Sequence, residues 1–566
     1  MEQEKVYPIT VLKSMQQAST RFLTQEGELR IGKNIDPTYK IGGISKALGY
    51  DRLGPVLGGG VAVRGAGVLN TSDGTERIIA FAGTDAYMYD SGTDSWLTQS
   101  LSFTASQDFY TANILEHLIE VNGITDSPQS FDGTTWSTST NVTDMPKAKY
   151  IIALNGRIYL LYVNLPVGGT FPSMVWFSDL ADGNSNTSLT WGFESNTDLA
   201  QTAGSAIVTS SASVFKTRNI KVGDDFYITT GTNAGHYTVK TIDSETQITL
   251  TKTLANTQSN SSFWCGGNYF FIGREDSDVG MGLGINSDRI LAFKRFSLYK
   301  YQKTSNVATD TLIKVKGAPG TTSQRSVISF GDDTFYFSDT GIWKFNGVSS
   351  VLVSTPVQEV IDGISDSSKT NVVAWQERDR IMKMYVGDVS NTETELTIND
   401  CVICHDTLTN SWWVEEYPDA IKASIRWLKS NALKSYIFND AGECFKTETG
   451  NSFDGDEINM EIELQPIFPI APEVSVTFTR FKIYHQKGQD IQIVGYKRFF
   501  DSDGNIDKET RRVNVTKRTD GEIEVRPQEE ENKAAGFSLV IAHMSDSIRP
   551  VIEKVIAYYS GYEIRK

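Results

Sequence analysis

The sequence predicts an all-β protein of several domains, built around a β-propeller with a small inserted β-barrel and a C-terminal β-sandwich. Three observations predict this. Short alternating strands recur, each leading into an Asp, Gly or Asn turn and then an aromatic residue. The chain holds 47 Gly, 28 Phe and 23 Tyr in 566 residues, a composition that favours strands joined by tight turns. Helical patterning is confined to two short stretches, residues 9–17 and 356–361.

The first unit comprises residues 78–83, then 86–90, then a Ser-Gly-Thr-Asp-Ser turn ending at Trp96. Residues 117–123, leading to Phe131-Asp132-Gly133-Thr134-Thr135-Trp136, parallel it closely. A third unit, 150–160, has Asn155-Gly156 between two alternating runs, the strongest local hairpin signal because both residues tolerate positive φ. It continues through 175–179 and closes near Trp191. Residues 289–294 then pair with 297–301, and 334–339 run through Thr340-Gly341 into 342–347. Residues 381–386 and 401–405 close at Trp412-Trp413, and 435–442 turn into 443–446. A spacing of roughly 40 to 50 residues per four-stranded unit suits propeller blades, about five to seven of them. A pair of ordinary sandwiches is the alternative.

The pattern divides the chain. Residues 1–60 form an N-terminal segment with the first strands, 61–195 the first part of the propeller, and 264–449 its second part. Between them, residues 196–263 are rich in Thr, Ser, Ala and Val and read as a small barrel inserted into one blade. From 450 to 566 the strands lengthen, as in 459–464, 474–478 and 491–496, and read as a separate, platform-like sandwich.

Composition narrows the function. A formal charge of −16 argues against broad electrostatic binding to nucleic acid, which needs Lys and Arg to displace condensed counterions. Four cysteines are too few for a disulfide framework. The N-terminus resembles neither a secretory signal nor a transit peptide, and no run of about 18 apolar residues occurs. The expectation is a product made in the cytoplasm that does not span a membrane by helices.

Each motif that suggests chemistry has a structural counterpart. Cys401-Val402-Ile403-Cys404-His405 has the spacing of covalent haem attachment, yet the run reads as a strand inside a blade, where packed cysteines are expected. Asp501, Asp503, Asn505 and Asp507 gather around Gly504 as the oxygen ligands of a calcium loop do. The spacing departs from the EF-hand, and a polar hairpin tip explains it equally. Ser91-Gly92-Thr93-Asp94-Ser95-Trp96 is similar to the Asp-box turns of sialidase propellers, without the arginine cluster and tyrosine nucleophile such enzymes need. Five scattered histidines suggest neither a Ser-His-Asp system nor a zinc site. Walker and G-x-G-x-x-G loops are absent from the sequence, so a non-enzyme without a cofactor is expected, calcium being the one candidate.

Residues 25–35 (Gln-Glu-Gly-Glu-Leu-Arg-Ile-Gly-Lys-Asn-Ile) and 42–50 (Gly-Gly-Ile-Ser-Lys-Ala-Leu-Gly-Tyr), with the Phe-Asp-Gly-Thr-Thr-Trp and Gly-Ile-Trp-Lys-Phe-Asn-Gly phrases, resemble one family. These are the tail nozzle or tail hub proteins of short-tailed bacteriophages, also described as packaged-DNA stabilisation proteins. The resemblance covers most of the chain, and the barrel at roughly 197–262 departs from it. It implies a structural virion protein of the tail, commonly a hexameric ring below the portal and adaptor and beside tail fibre proteins. Such a ring closes the channel over packaged DNA and conducts the genome during ejection without binding it specifically. An acidic lumen would let DNA slide. The rival functions are a receptor- or carbohydrate-binding propeller of the virion and a glycoside-cleaving propeller with two opposed carboxylates.

Overall fold

The computed structural model describes residues 4–564 apart from 18–26, 72–73, 75, 182–188, 275, 304–309, 393–395, 430–431, 472–473, 487–489, 500–509, 529–531 and 545–548. Seven small antiparallel sheets stand in a ring, as strict alternation demands when each sheet has a neighbour on both faces. In blade 1, Ile79 and Phe81 pack on Phe109 and Leu118 of the next blade, while Ile78 and Ala80 pack on Ile425 and Phe438 of the last.

Blade 1 comprises Val63–Asn70, Glu76–Ala82, Asp85–Asp90 and Ser95–Gln99. Blade 2 comprises Tyr110–Ile114, His117–Val121, Gln129–Phe131 and Trp136–Ser137. Blade 3 comprises Lys147–Leu154, Arg157–Leu165, Gly169–Phe177 and, beyond the barrel, Tyr269–Phe271. Asn155 (φ 50) and Gly156 (φ 71) make its first turn left-handed, as the sequence predicts.

Blade 4 comprises Gly280–Asn286, Arg289–Lys294, Leu298–Gln302 and Thr311–Lys314, and blade 5 Ile328–Phe330, Asp333–Ser338, Gly341–Phe345 and Ser350–Leu352. Blade 6 comprises Val373–Glu377, Ile381–Asn391, Leu396–Asp406 and Ser411–Glu416. Blade 7 takes Ile421–Lys429, Ala432–Asn439 and Cys444–Thr447 from late in the chain and its fourth strand, Tyr50–Arg52, from near the start. The innermost strands touch in succession, and Ile421–Lys429 returns to Val63–Asn70 to close the ring. Tyr50 secures the closing strand, with its ring 4.6 Å from Phe445 and 4.9 Å from Phe453, and its hydroxyl donates to Asp419 at 2.7 Å.

The inserted domain is a closed barrel of six strands between Phe193 and Gly266, slightly wider than the sequence suggests. Phe226 stacks on Phe263 at 4.9 Å in its core. Asp179 of blade 3 pins it by accepting bonds from Lys221 (2.8 Å) and Asn219 (2.7 Å), as well as Asn268 (3.2 Å) beside the barrel.

Two expectations need correction. The C-terminal sandwich is not a separate unit. One of its sheets continues blade 6, because Leu29–Lys33 joins the blade's outer strand and leads on through Met460–Leu464 and Gly536–His543 to Ile491–Phe499. The facing sheet is built on Val474–Gln486 and Val551–Ile564, and takes Lys5–Ile9, Ile35–Lys40 and Gly43–Lys46 from the N-terminal segment. One hydrophobic cluster therefore runs from Trp375 and Met384 of blade 6 to Phe478 and Phe537 of the platform. Second, residues 9–17 are not a helix: Lys5–Ile9 is a strand along Val551–Ile564, and Met15 bridges to Leu29. A free edge outweighed the local pattern there. The other helical expectation holds, with a 3₁₀ turn at Thr355–Val357 running into a helix at Gln358–Asp362.

Candidate functional site

Asp501, Asp503, Asn505 and Asp507, the candidate calcium loop, lie outside the described residues. Among the described residues no three His, Cys, Asp or Glu side chains are grouped to hold a metal ion. Cys401 and Cys404 are buried and unpaired on a blade 6 strand, and an odd separation sends their side chains to opposite faces. His405 stacks on Trp412 with centroids 4.0 Å apart, and burial lowers its pKa to about 4. The motif is strand packing.

The aspartate turns are also structural. Burial opposes ionisation of Asp132, yet bonds from the amides and hydroxyls of Thr135 and Thr134 hold its carboxyl at about 2. Asp90 accepts from the Thr93 hydroxyl and the Gly92 amide in the corresponding turn of blade 1. Each carboxylate is consumed in shaping its own turn.

The propeller axis holds a cavity of about 270 Å³, lined by Ala66, Thr111, Ile151, Val327, Ala374 and Ser424 from the inner edges of six blades. Arg325 crosses it. Its guanidinium donates to the Arg64 carbonyl on the far side, lies 3.3 Å from Asp108 and stands over the Tyr110 ring at 5.3 Å. This strut joins blades 1, 2 and 5, and the remaining space suits a handful of waters.

The densest polar cluster lies where blades 6 and 7 meet the platform. Lys383, almost fully buried, is 2.8 Å from Glu415 and 3.5 Å from Glu448. Glu415 also accepts from Tyr417 (3.0 Å) and Trp413 (3.3 Å). Arg378 pairs with Glu448 and, at 3.0 Å, with Asp36 of the platform, which Arg549 holds from the other side at 2.7 Å. Three cations thus face three carboxylates.

Glu377 is a fourth carboxyl, and it has no ion pair among the described residues. Burial raises its pKa from 4.5 to about 7, against the attraction of Lys383. The Thr447 hydroxyl, where it donates to Glu377, works against this rise without cancelling it. Thr447 Oγ1 lies within bonding range of both Glu377 and, at 2.9 Å, the Ser435 carbonyl. The hydroxyl has one proton to share between them, so burial dominates and the neutral carboxyl is favoured below about pH 7. The junction is then electrically balanced.

The outer edges of the blades differ. Blade 6 is joined at Val414 by Lys33 of the Leu29–Lys33 strand, and the closing strand of blade 7 at Tyr50 by Phe453. On blade 4 the outer strand Thr311–Lys314 is exposed throughout, Leu312 and Ile313 included. Lys300, Lys314 and Lys316 beside it have no carboxylate partner among the described residues.

No family model and no curated protein matches this sequence. Solved structures that align with it include YCF48 bound to D1 peptide and YCF48 from Cyanidioschyzon merolae. Each is 10% identical over 70% of this chain, covering 94% and 98% of its own length, with a TM-score of 0.27. A likeness so shallow says nothing of what this chain binds. Sequence reasoning missed Arg325, the Lys383 cluster and the open edge of blade 4. Only the last left a signal, the adjacent apolar pair Leu312-Ile313 ahead of the alternating Lys314-Val315-Lys316.

Proposed function

We propose that this chain is a structural protein of a bacteriophage tail, forming with further copies of itself the distal nozzle or hub through which the genome leaves. The observation that carries the reading is the eight-stranded sheet joined from blade 6 to the platform at Lys33 and Val414, over one hydrophobic cluster that runs across both and stiffens them together. A part that withstands packaged-DNA pressure needs that stiffness and no reaction centre. The resemblance of residues 25–35 and 42–50 to tail nozzle and hub proteins supports the same reading.

The strut at Arg325 adds a constraint: DNA would pass between copies, around a common axis, and not through one propeller. A six-membered ring with adaptor and fibre partners belongs to this proposal. So does residence in the virion tail after synthesis in the host cytoplasm. Among the described residues no helix is long and apolar enough to cross a membrane. The test is native mass spectrometry with negative-stain imaging of the full chain. A closed ring with an axial opening is expected, and a monomer that binds glycans or releases sugar would replace this reading with a receptor-binding or glycoside-cleaving one.

A further inference from the structure

We propose that the free edge of blade 4 takes up an extended acidic peptide segment as a fifth strand. This stands whether or not copies of the chain form a ring, because it concerns one blade of one molecule.

The backbone makes the case first. The Val315 amide donates to the Leu298 carbonyl, and Lys300 faces Ile313 in register. In an antiparallel pair inward bonding alternates, so residues 311, 313 and 315 bond inward while Leu312 and Lys314 turn their N–H and C=O groups outward. Neither residue has another backbone partner among those described. The edge therefore offers two donors and two acceptors to an incoming strand, flanked by Leu312 and Ile313 at 39% and 50% exposure. Exposed apolar edges invite pairing, and soluble proteins ordinarily blunt or cover them.

Charge selects the occupant. Lys300 gives one bond to the Gly347 carbonyl, Lys314 lies over Tyr299, and Lys316 is exposed. Among the described residues none of the three has a carboxylate partner, in a chain of net charge −16. The molecule contains a precedent with the signs reversed: blade 6 accepts an added strand whose Lys33 pairs with Glu416 of the blade at 2.9 Å. A strand added to blade 4 would carry Asp or Glu on the face of Lys314 and Lys316 and apolar residues on the opposite face, beside Ile313.

The other open edges suit this less. Blade 1 ends in the five-residue strand Ser95–Gln99, which carries no lysine, blade 2 in a two-residue strand and blade 5 in a three-residue one. On blade 3 the Tyr269 hydroxyl is held by Asp225 of the barrel.

The probe is a fluorescein-labelled octapeptide alternating Val and Glu, titrated with the full chain and read by anisotropy. Binding on the order of tens of micromolar is expected, weakening with salt and about tenfold weaker for the Val-Lys counterpart. Leu312→Pro removes an outward N–H without touching the inward ladder and should weaken binding about tenfold, at an unchanged melting temperature. Lys314→Glu combined with Lys316→Glu should do the same and abolish the salt dependence. Equal binding of the Val-Lys peptide, or indifference to Leu312→Pro, overturns the proposal. So does displacement of the peptide by a single-stranded dT oligomer, which would mark a general polyanion surface. Loss of self-association in Leu312→Pro without any peptide binding would overturn it in favour of a contact between copies.

Discussion

Blades 4 and 6 have the same four-stranded plan and opposite outer edges. Blade 6 carries Glu416 at its rim, receives the strand bearing Lys33 and continues for four strands into the platform. Blade 4 carries lysines at its rim and ends in a strand exposed throughout. The difference teaches that edge chemistry, not blade architecture, decides whether a sheet stops or grows. It also predicts where the molecule is intolerant of change.

The largest effect should come from Lys383→Ala, which leaves Glu415 and Glu448 buried beside each other. Removing one partner of a buried pair costs about 3–5 kcal/mol, read as a loss of unfolding free energy in denaturant. A cost under about 1 kcal/mol would show that the junction is no stronger than the blade 4 rim.

Next comes the proton on Glu377. Its folded pKa, about 7, lies above the ordinary 4.5, so the stability linked to the neutral form is full below about 4.5 and is lost as pH rises through 7. Unfolding free energy should fall by up to about 3 kcal/mol across that window and level off above it. Glu377→Gln should flatten the profile; an unchanged slope would place the titration elsewhere.

A smaller effect is expected at Glu120, buried between blades 1 and 2. Burial, reinforced by Asp126, raises its pKa well above the usual range against a weaker pull from the Gln129 amide, and among the described residues no donor meets either carboxyl oxygen in good hydrogen-bond geometry. Glu120→Met should stabilise the protein by about 1–3 kcal/mol at pH 8, and by less at pH 4 where the carboxyl is already neutral. Smallest of all, Ile313→Ser on blade 4 should change stability by no more than about 0.5 kcal/mol. A larger loss would mean that the exposed edge is part of the fold after all.

Much of the propeller was legible because its signals are local. Asn155-Gly156, Asp339-Thr340 and the aspartate turns at Asp90 and Asp132 set hairpins within a few residues, and alternation assigns the faces. The sharing of strands was not legible. Nothing near Tyr50 announces that it completes a blade with Cys444–Thr447, and nothing near Leu29 announces that it bridges blade 6 to residues 460–464. The charged junction was hidden for the same reason, since Asp36, Arg378, Glu448 and Arg549 meet only after the chain has folded. Cys401-x-x-Cys404-His405 shows the reverse error, a local spacing that suggests chemistry where the strand merely packs.

The closing strand sets the order of events during synthesis. Tyr50–Arg52 leaves the ribosome hundreds of residues ahead of the Cys444–Thr447 strand it must meet, so the ring stays open until its last blade emerges. Contacts of such sequence separation slow folding and leave an unfinished edge in solution while they wait. A nascent chain truncated before residue 444 should therefore be trapped with its seventh blade incomplete, prone to clumping and reliant on chaperones until translation ends.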